Sequence, residues 1–201
     1  MSSVVCIGDS LVAGRHGDLV NPLSNVLANK WNDTAVVNLG VGGDGIADID
    51  ARKSSVLEYR PAIVVCEFGT NNITNNASYS TIQQALQSLY QYFKTTVKAN
   101  VWVLTIPPCE FEVPENPSGI YYNSHEVRLQ INEWIRSKPT YVDLVTDAWT
   151  LVRDPSDTLR FAPEYRGTSG SYEQYFGYTN HWNQAGVNLI VDQMLTELGD
   201  Q

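Results

Sequence analysis

The sequence predicts an α/β fold, a parallel sheet with helices on both faces. Three observations carry that prediction. Runs of buried-type residues, such as Val4-Val5-Cys6-Ile7 and Ala62-Ile63-Val64-Val65-Cys66, read as short interior strands. Segments of helical period separate these runs, and strand and helix alternate throughout the chain. Polar motifs follow the strands directly, at the edge where open α/β sheets place their chemistry.

Taken in order, the first strand ends at Gly8, with Asp9-Ser10 at the turn. On their own these residues read equally as a catalytic turn or as one in which Asp9 or Ser10 caps the next helix. Asn21-Pro22 marks a helix start, Asn as cap and Pro in the first turn, with Leu23, Val26, Leu27 and Trp31 on one face. Ala35 to Leu39 is the second strand. It runs into Gly40-Val41-Gly42-Gly43-Asp44-Gly45, a loop whose backbone can approach a ligand closely. Neither the GxGxxG order nor a P-loop ending is present. A helix is expected from Ile46 to about Tyr59, closed by Pro61, before the third strand, Ala62 to Cys66. Ser80 to Ala99 is the clearest amphipathic helix, with Ile82, Leu86, Leu89, Phe93 and Val97 in register. Val101 to Ile106 is the fourth strand, stopped by Pro107-Pro108, and a long Pro-rich loop follows. Tyr122 to Ser137 should bury Val127, Ile131, Trp134 and Ile135, and Tyr141 to Val145 is the fifth strand. After a second long loop, 152–177, the last helix begins near Asn183 and turns Val187, Ile190, Val191, Met194 and Leu195 inward.

The 201 residues suffice for one sizeable core, and one domain spanning 1–201 is expected. Hydrophobic residues make up 43% and charged ones 17%, the balance of a folded chain. A net charge of −9 argues against nucleic acid or an anionic membrane surface as partner. No 18-residue apolar run and no leader pattern occur, so a cytoplasmic protein or a domain of a larger one is expected. Cys6 and Cys66, inside apolar runs, read as inert buried thiols, and the spacing of the three cysteines suits no zinc site.

Three signatures follow three successive strands: Gly8-Asp9-Ser10-Leu11, Gly42-Gly43-Asp44 and Gly69-Thr70-Asn71-Asn72. A fourth, Asn180-His181-Trp182-Asn183, precedes the last helix. Together they offer a hydroxyl, backbone N–H groups, a carboxamide and an imidazole, the parts acyl transfer needs. In this order and at these strand ends they resemble the SGNH hydrolases of the GDSL family over nearly the whole chain. The resemblance implies a three-layer α/β/α, flavodoxin-like fold around a central five-stranded parallel sheet. It implies an esterase in which Ser10 is the nucleophile and His181 the base. Ser10 and Gly43, through their N–H groups, and Asn71, through its amide, would form the oxyanion hole. Neither a metal nor a cofactor is implied. Asp9 and Asp44 read as groups that order loops and cap helices. Asp9, Asn72 and Trp182 are also placed along the substrate.

The chain departs from the family pattern in one place. An Asp usually stands three residues before the His, and Tyr178 is found there. Three readings stay open. In one the Tyr178 backbone carbonyl orients His181; in another a loop carboxylate (Asp154, Asp157, Glu164 or Glu173) substitutes; in the third the domain is a weakened or inactive carbohydrate-binding or structural module. Tyr121, Tyr122, Tyr172, Tyr175 and Trp182 suit sugar rings, and no long apolar lid segment is visible. The expected partner is therefore a small-molecule or glycan ester with a short, acetyl-like acyl group. The oligomeric state is not readable.

Overall fold

A computed structural model describes residues 3–14, 19–31, 34–112, 124–167 and 179–199. Its sheet has five parallel strands: β1 Ser3–Gly8, β2 Ala35–Gly40, β3 Ile63–Glu67, β4 Asn100–Leu104 and β5 Leu144–Thr146. Their order is β2-β1-β3-β4-β5, and Gly8 stands in register with Gly40 on one side and Glu67 on the other. The chain reverses its direction of winding between β1 and β3, and the crevice above that reversal is where such sheets bind ligands. Ser10 lies two residues past the end of β1.

The apolar runs are continuous because both faces of the sheet are covered. Val5, Ile7, Val64, Cys66, Val101 and Val103 face one core. Val4, Cys6, Ile63, Val65, Trp102 and Leu104 face the other. The first layer packs against α3 (Ile46–Arg52), α5 (Tyr79–Tyr92) and α6 (Ser124–Arg136). The second packs against α1 (Ser10–Ala13), α2 (Leu23–Lys30), α7 (Ala148–Val152) and α8 (Gln184–Gly199). A short helix, α4 (Thr70–Thr74), stands at the end of β3.

Several boundaries differ from the sequence expectation, each for a local reason. Asn21 does not cap α2. Pro22 holds that position, and the Asn21 N–H donates to Gln184 Oε1 at 2.8 Å. The helix from Ile46 tightens into a 3₁₀ turn over Lys53–Tyr59, and Arg60 in a left-handed conformation ends it ahead of Pro61. The helix expected from Ser80 starts one residue earlier, after Ser78, whose hydroxyl accepts the Thr81 N–H at 3.3 Å. It widens into a π turn at Phe93–Val97 and ends at Lys98, at φ +64°. The fifth strand begins at Leu144 rather than Tyr141, a residue at φ +77° that breaks extended backbone. Helix α7 was not anticipated. Asp147 caps it, its carboxylate accepting from Thr150 N and Thr150 Oγ1.

Candidate active site

The turn after β1 is built by Asp9. Its Oδ1 accepts the Leu11 N–H at 3.0 Å, which starts α1 with Ser10 as first residue. Gly8 has to be glycine. A Cβ there would lie 2.1 Å from the Glu67 carbonyl oxygen and 2.4 Å from Val12 Cγ2. The neighbouring loop is tied down by Arg52 of α3. Its Nε donates to Asp44 Oδ2 at 2.7 Å, Nη1 to the Leu39 carbonyl at 2.6 Å and Nη2 to the Gly8 carbonyl at 3.0 Å. One guanidinium therefore joins the ends of β1 and β2 to the loop between β2 and α3. That loop leans on the nucleophile turn: a Cβ on Gly42 would sit 3.9 Å from Ser10 Cβ. Gly43 beside it is exposed at φ +87°, a conformation that favours glycine.

The end of β3 contributes the amides. Asn71 Nδ2 donates to the Asp44 carbonyl at 2.9 Å, and Asn72 Oδ1 accepts the Ile46 N–H at 2.8 Å, capping α3. Asn71 thus holds the same loop that Arg52 holds. From the far end of the chain comes His181, with Nε2 2.9 Å from Ser10 Oγ. Both side chains are almost completely buried. For Nε2 to accept the serine proton, the neutral ring carries its own proton on Nδ1.

The structure thus brings Ser10, Gly42-Gly43, Asn71 and His181 to one corner. Asp9 and Trp182 are corrected as substrate contacts, because both are fully buried. Asp9 serves the turn, and Trp182 belongs to the core beside Cys6, Val187 and Ile190. Asp44 orders its loop as expected. Tyr178, Glu173 and the tyrosines at 121, 122, 172 and 175 lie outside the described residues. Asp154 and Asp157 serve their own turns, accepting from Ser156 N and Leu159 N, and Glu164 is exposed. Among the described residues no group of three His, Cys, Asp or Glu side chains could hold a metal ion. Cys6 and Cys109 are pushed up to about 12 by burial, and Cys66 is also raised, so these thiols are poor nucleophiles.

Sequence reading missed the charged groups beneath the corner. Arg128 of α6 is fully buried. It grips Glu112 with Nη2 at 2.7 Å and Nε at 3.1 Å, and Nη1 donates to the Pro107 carbonyl at 2.9 Å. Glu67 and Asp9 lie within its field. Among the described residues, Asp9 Oδ2 and both Glu67 carboxyl oxygens have no hydrogen-bond partner. Burial pushes the Asp9 acid up to about 7, with the Leu11 N–H and Arg128 offsetting part of the rise, and it raises Glu67 as well.

The raised Asp9 value has a consequence for stability. Below about pH 4 the carboxyl is protonated in both folded and unfolded chains and costs nothing. As pH rises to about 7 the unfolded chain ionises first, and the native state loses stability. Asp9→Asn, which keeps an oxygen for the Leu11 N–H, removes this loss. The variant is expected to be more stable than wild type at pH 8, by roughly 2–4 kcal/mol, and within about 1 kcal/mol of it at pH 4. Urea denaturation at the two pH values checks this, and an advantage of the same size at both would refute it.

With this geometry in hand, the comparisons with known proteins agree on a family. The chain belongs to the GDSL-like lipase/acylhydrolase family, whose model matches residues 6–189. No curated protein matches it in sequence. Similar solved structures include a lipolytic protein of the G-D-S-L family from Veillonella parvula, 14% identical at a TM-score of 0.72 with all of both chains covered. A lipase/acylhydrolase from Enterococcus faecalis is 21% identical at a TM-score of 0.69, covering 100% of this chain and 96% of the other. An acetylxylan esterase from Geobacillus stearothermophilus is 18% identical at a TM-score of 0.70, covering 98% and 94%. Identities this low speak for the fold, a five-stranded parallel sheet with flanking helices.

Proposed function

We propose that the protein is a serine-dependent carboxylic-ester hydrolase for short acyl esters, acetyl esters foremost, with O-acetylated carbohydrate as its substrate class. The observation that carries this reading is the 2.9 Å contact between Ser10 Oγ and His181 Nε2. His181 takes the Ser10 proton as Oγ bonds to the ester carbonyl carbon. The carbonyl oxygen becomes an oxyanion, met by the N–H groups of Ser10 and Gly43 and by the Asn71 amide. That amide has two N–H groups. One donates to the Asp44 carbonyl, which fixes the side chain and leaves the other for the oxyanion. The C–O bond to the alcohol breaks, and His181 returns its proton to the departing oxygen. Water, deprotonated by His181, then cleaves the acyl-enzyme and restores Ser10. The acetyl preference is supported by the absence of a long apolar lid segment in the sequence and by the likeness to an acetylxylan esterase.

Hydrolysis of p-nitrophenyl acetate, butyrate and octanoate, with Ser10→Ala as the blank, tests the proposal. Turnover of the acetate is expected, with kcat/KM falling about tenfold or more towards octanoate, since even one methylene that a site cannot accommodate is worth on the order of 1–3 kcal/mol. A preference for octanoate would overturn the acyl-length assignment. Wild-type rates equal to the Ser10→Ala blank would overturn the enzyme reading and favour a glycan-binding module.

A further inference from the structure

Glu110 follows the fourth strand in the 3₁₀ turn Glu110–Glu112, and its side chain is almost completely buried. It makes a two-way contact with Thr179: the Glu110 N–H donates to the Thr179 carbonyl at 2.8 Å, and the Thr179 N–H donates to Glu110 Oε2 at 3.1 Å. The carboxylate also takes the Arg166 guanidinium in a fork, with Nε 2.9 Å from Oε1 and Nη2 2.7 Å from Oε2. Each of these partners reaches His181. The Thr179 hydroxyl accepts the His181 N–H at 3.1 Å, and Gly167, next to Arg166, donates its N–H to the His181 carbonyl at 2.9 Å. Arg166 and Trp182 form an antiparallel bridge beside it. A closed ring results, running Glu110–Thr179–His181–Gly167–Arg166 and back to Glu110. Both backbone polar groups of His181 are engaged in it, and one carboxylate closes it.

We infer that Glu110 is a positioning residue for the Ser10–His181 pair: its carboxylate fixes the backbone of the 179–181 segment and so sets where the imidazole stands. The inference rests on the ester-hydrolase reading only for its kinetic consequence. The physical case is one of leverage. The imidazole has to stay within hydrogen-bond reach of Ser10 Oγ, and misplacement by about 1 Å costs on the order of 10²-fold in rate. A loop held only through its own backbone would leave that distance loose. A bidentate Arg–carboxylate pair gives fixed geometry, and Glu110 has little room to move. Its own turn is anchored from below, because Glu112 two residues on is held by the buried Arg128. The anchoring therefore runs from α6 through the 3₁₀ turn to the histidine.

Glu110→Gln is the discriminating variant, since it keeps the shape and an acceptor for the Thr179 N–H but gives up the charged fork. Lys94→Met, which breaks the Lys94–Asp143 ion pair at the other end of β4, serves as the stability control. The expected result with p-nitrophenyl acetate is a fall in kcat of about ten- to a hundredfold for Glu110→Gln, with KM within about twofold and no such fall for Lys94→Met. An unchanged kcat, or equal falls in the two variants, would overturn the inference. A second readout does not depend on turnover: the His181 ring Cε1–H resonance, followed by NMR against pH and identified by its loss in His181→Ala. Glu110→Gln is expected to shift that resonance and lower its titration midpoint, because a buried negative charge beside the 179–181 segment is removed. An unmoved resonance and midpoint would overturn the positioning role whether or not the wild type hydrolyses esters. Wild-type inactivity alone would strike only the ester-hydrolase reading.

Discussion

Replacing His181 with alanine is expected to lower kcat on p-nitrophenyl acetate by about 10⁴-fold or more, and the double variant Ser10→Ala/His181→Ala is expected to fall no further than Ser10→Ala alone. The reason lies in the single contact at 2.9 Å. An unassisted serine hydroxyl is a weak nucleophile, so Ser10 gains its reactivity from the imidazole, and every proton the imidazole moves belongs to chemistry at Ser10. Two groups that act as a unit cannot lose their effect twice. KM should change little, since neither group is needed to hold the ester before attack. Added imidazole should restore part of the rate to His181→Ala, where the hydroxyl survives, and none to Ser10→Ala. Steady-state kinetics on the three variants measures all of this. If His181→Ala kept a tenth of the wild-type rate, another base would have to be sought.

The second large effect concerns stability. Arg128→Met is expected to destabilise the fold by about 3–5 kcal/mol. Methionine fills much of the volume, so the loss is electrostatic. In the wild type, burial pushes the Glu112 acid up, but Arg128 and His125 outweigh it and hold the carboxyl below its usual range. Without the guanidinium, Glu112, Glu67 and Asp9 form a buried group of acids with only His125, beside Glu112, to offset them. The pH dependence has a definite sign. Stability from a depressed carboxyl is present above the ordinary glutamate range and lost as pH falls through the folded value. The deficit of Arg128→Met should therefore be largest near neutrality and shrink on acidification, and Glu112→Gln should recover part of it when combined with Arg128→Met. Urea melts at several pH values check this. A deficit below about 1 kcal/mol, or one independent of pH, would show that the buried pair matters little.

The strands and the corner residues were legible because each is written locally. Val4–Ile7 is an apolar run, and Gly8, Gly42 and Asn71 stand at strand ends where topology alone brings them together. The face of α6 was legible only in part. Apolar spacing pointed to Val127, Ile131, Trp134 and Ile135 as inward residues; the isoleucines are buried and the other two pack half-buried against the core, yet Arg128 and Asn132 are fully buried as well. Their burial depends on partners that no periodicity encodes. Glu112 satisfies Arg128, and the Asn132 amide matches both the N–H and the carbonyl of Ile106, each at 2.8 Å. Hydropathy assigns an arginine to solvent by default, so only the sight of Glu110 and Glu112 in the otherwise apolar stretch after Pro107-Pro108 could have hinted at a buried charge. Trp182 misled for the opposite reason. An aromatic residue beside the histidine suggests a binding surface, but the bridge to Arg166 turns the ring into the core.

Ser10 and His181 are 171 residues apart in the chain, and nothing local brings them together. During synthesis the serine turn leaves the ribosome 171 residues ahead of the histidine. At about 5–20 residues per second, the nascent chain carries half of the pair for roughly 9–34 s. On the ester-hydrolase reading, a chain in which His181 has not yet reached Ser10 has no activated nucleophile. The contact joins two distant parts of the fold, and its appearance in refolding should trail the formation of the sheet.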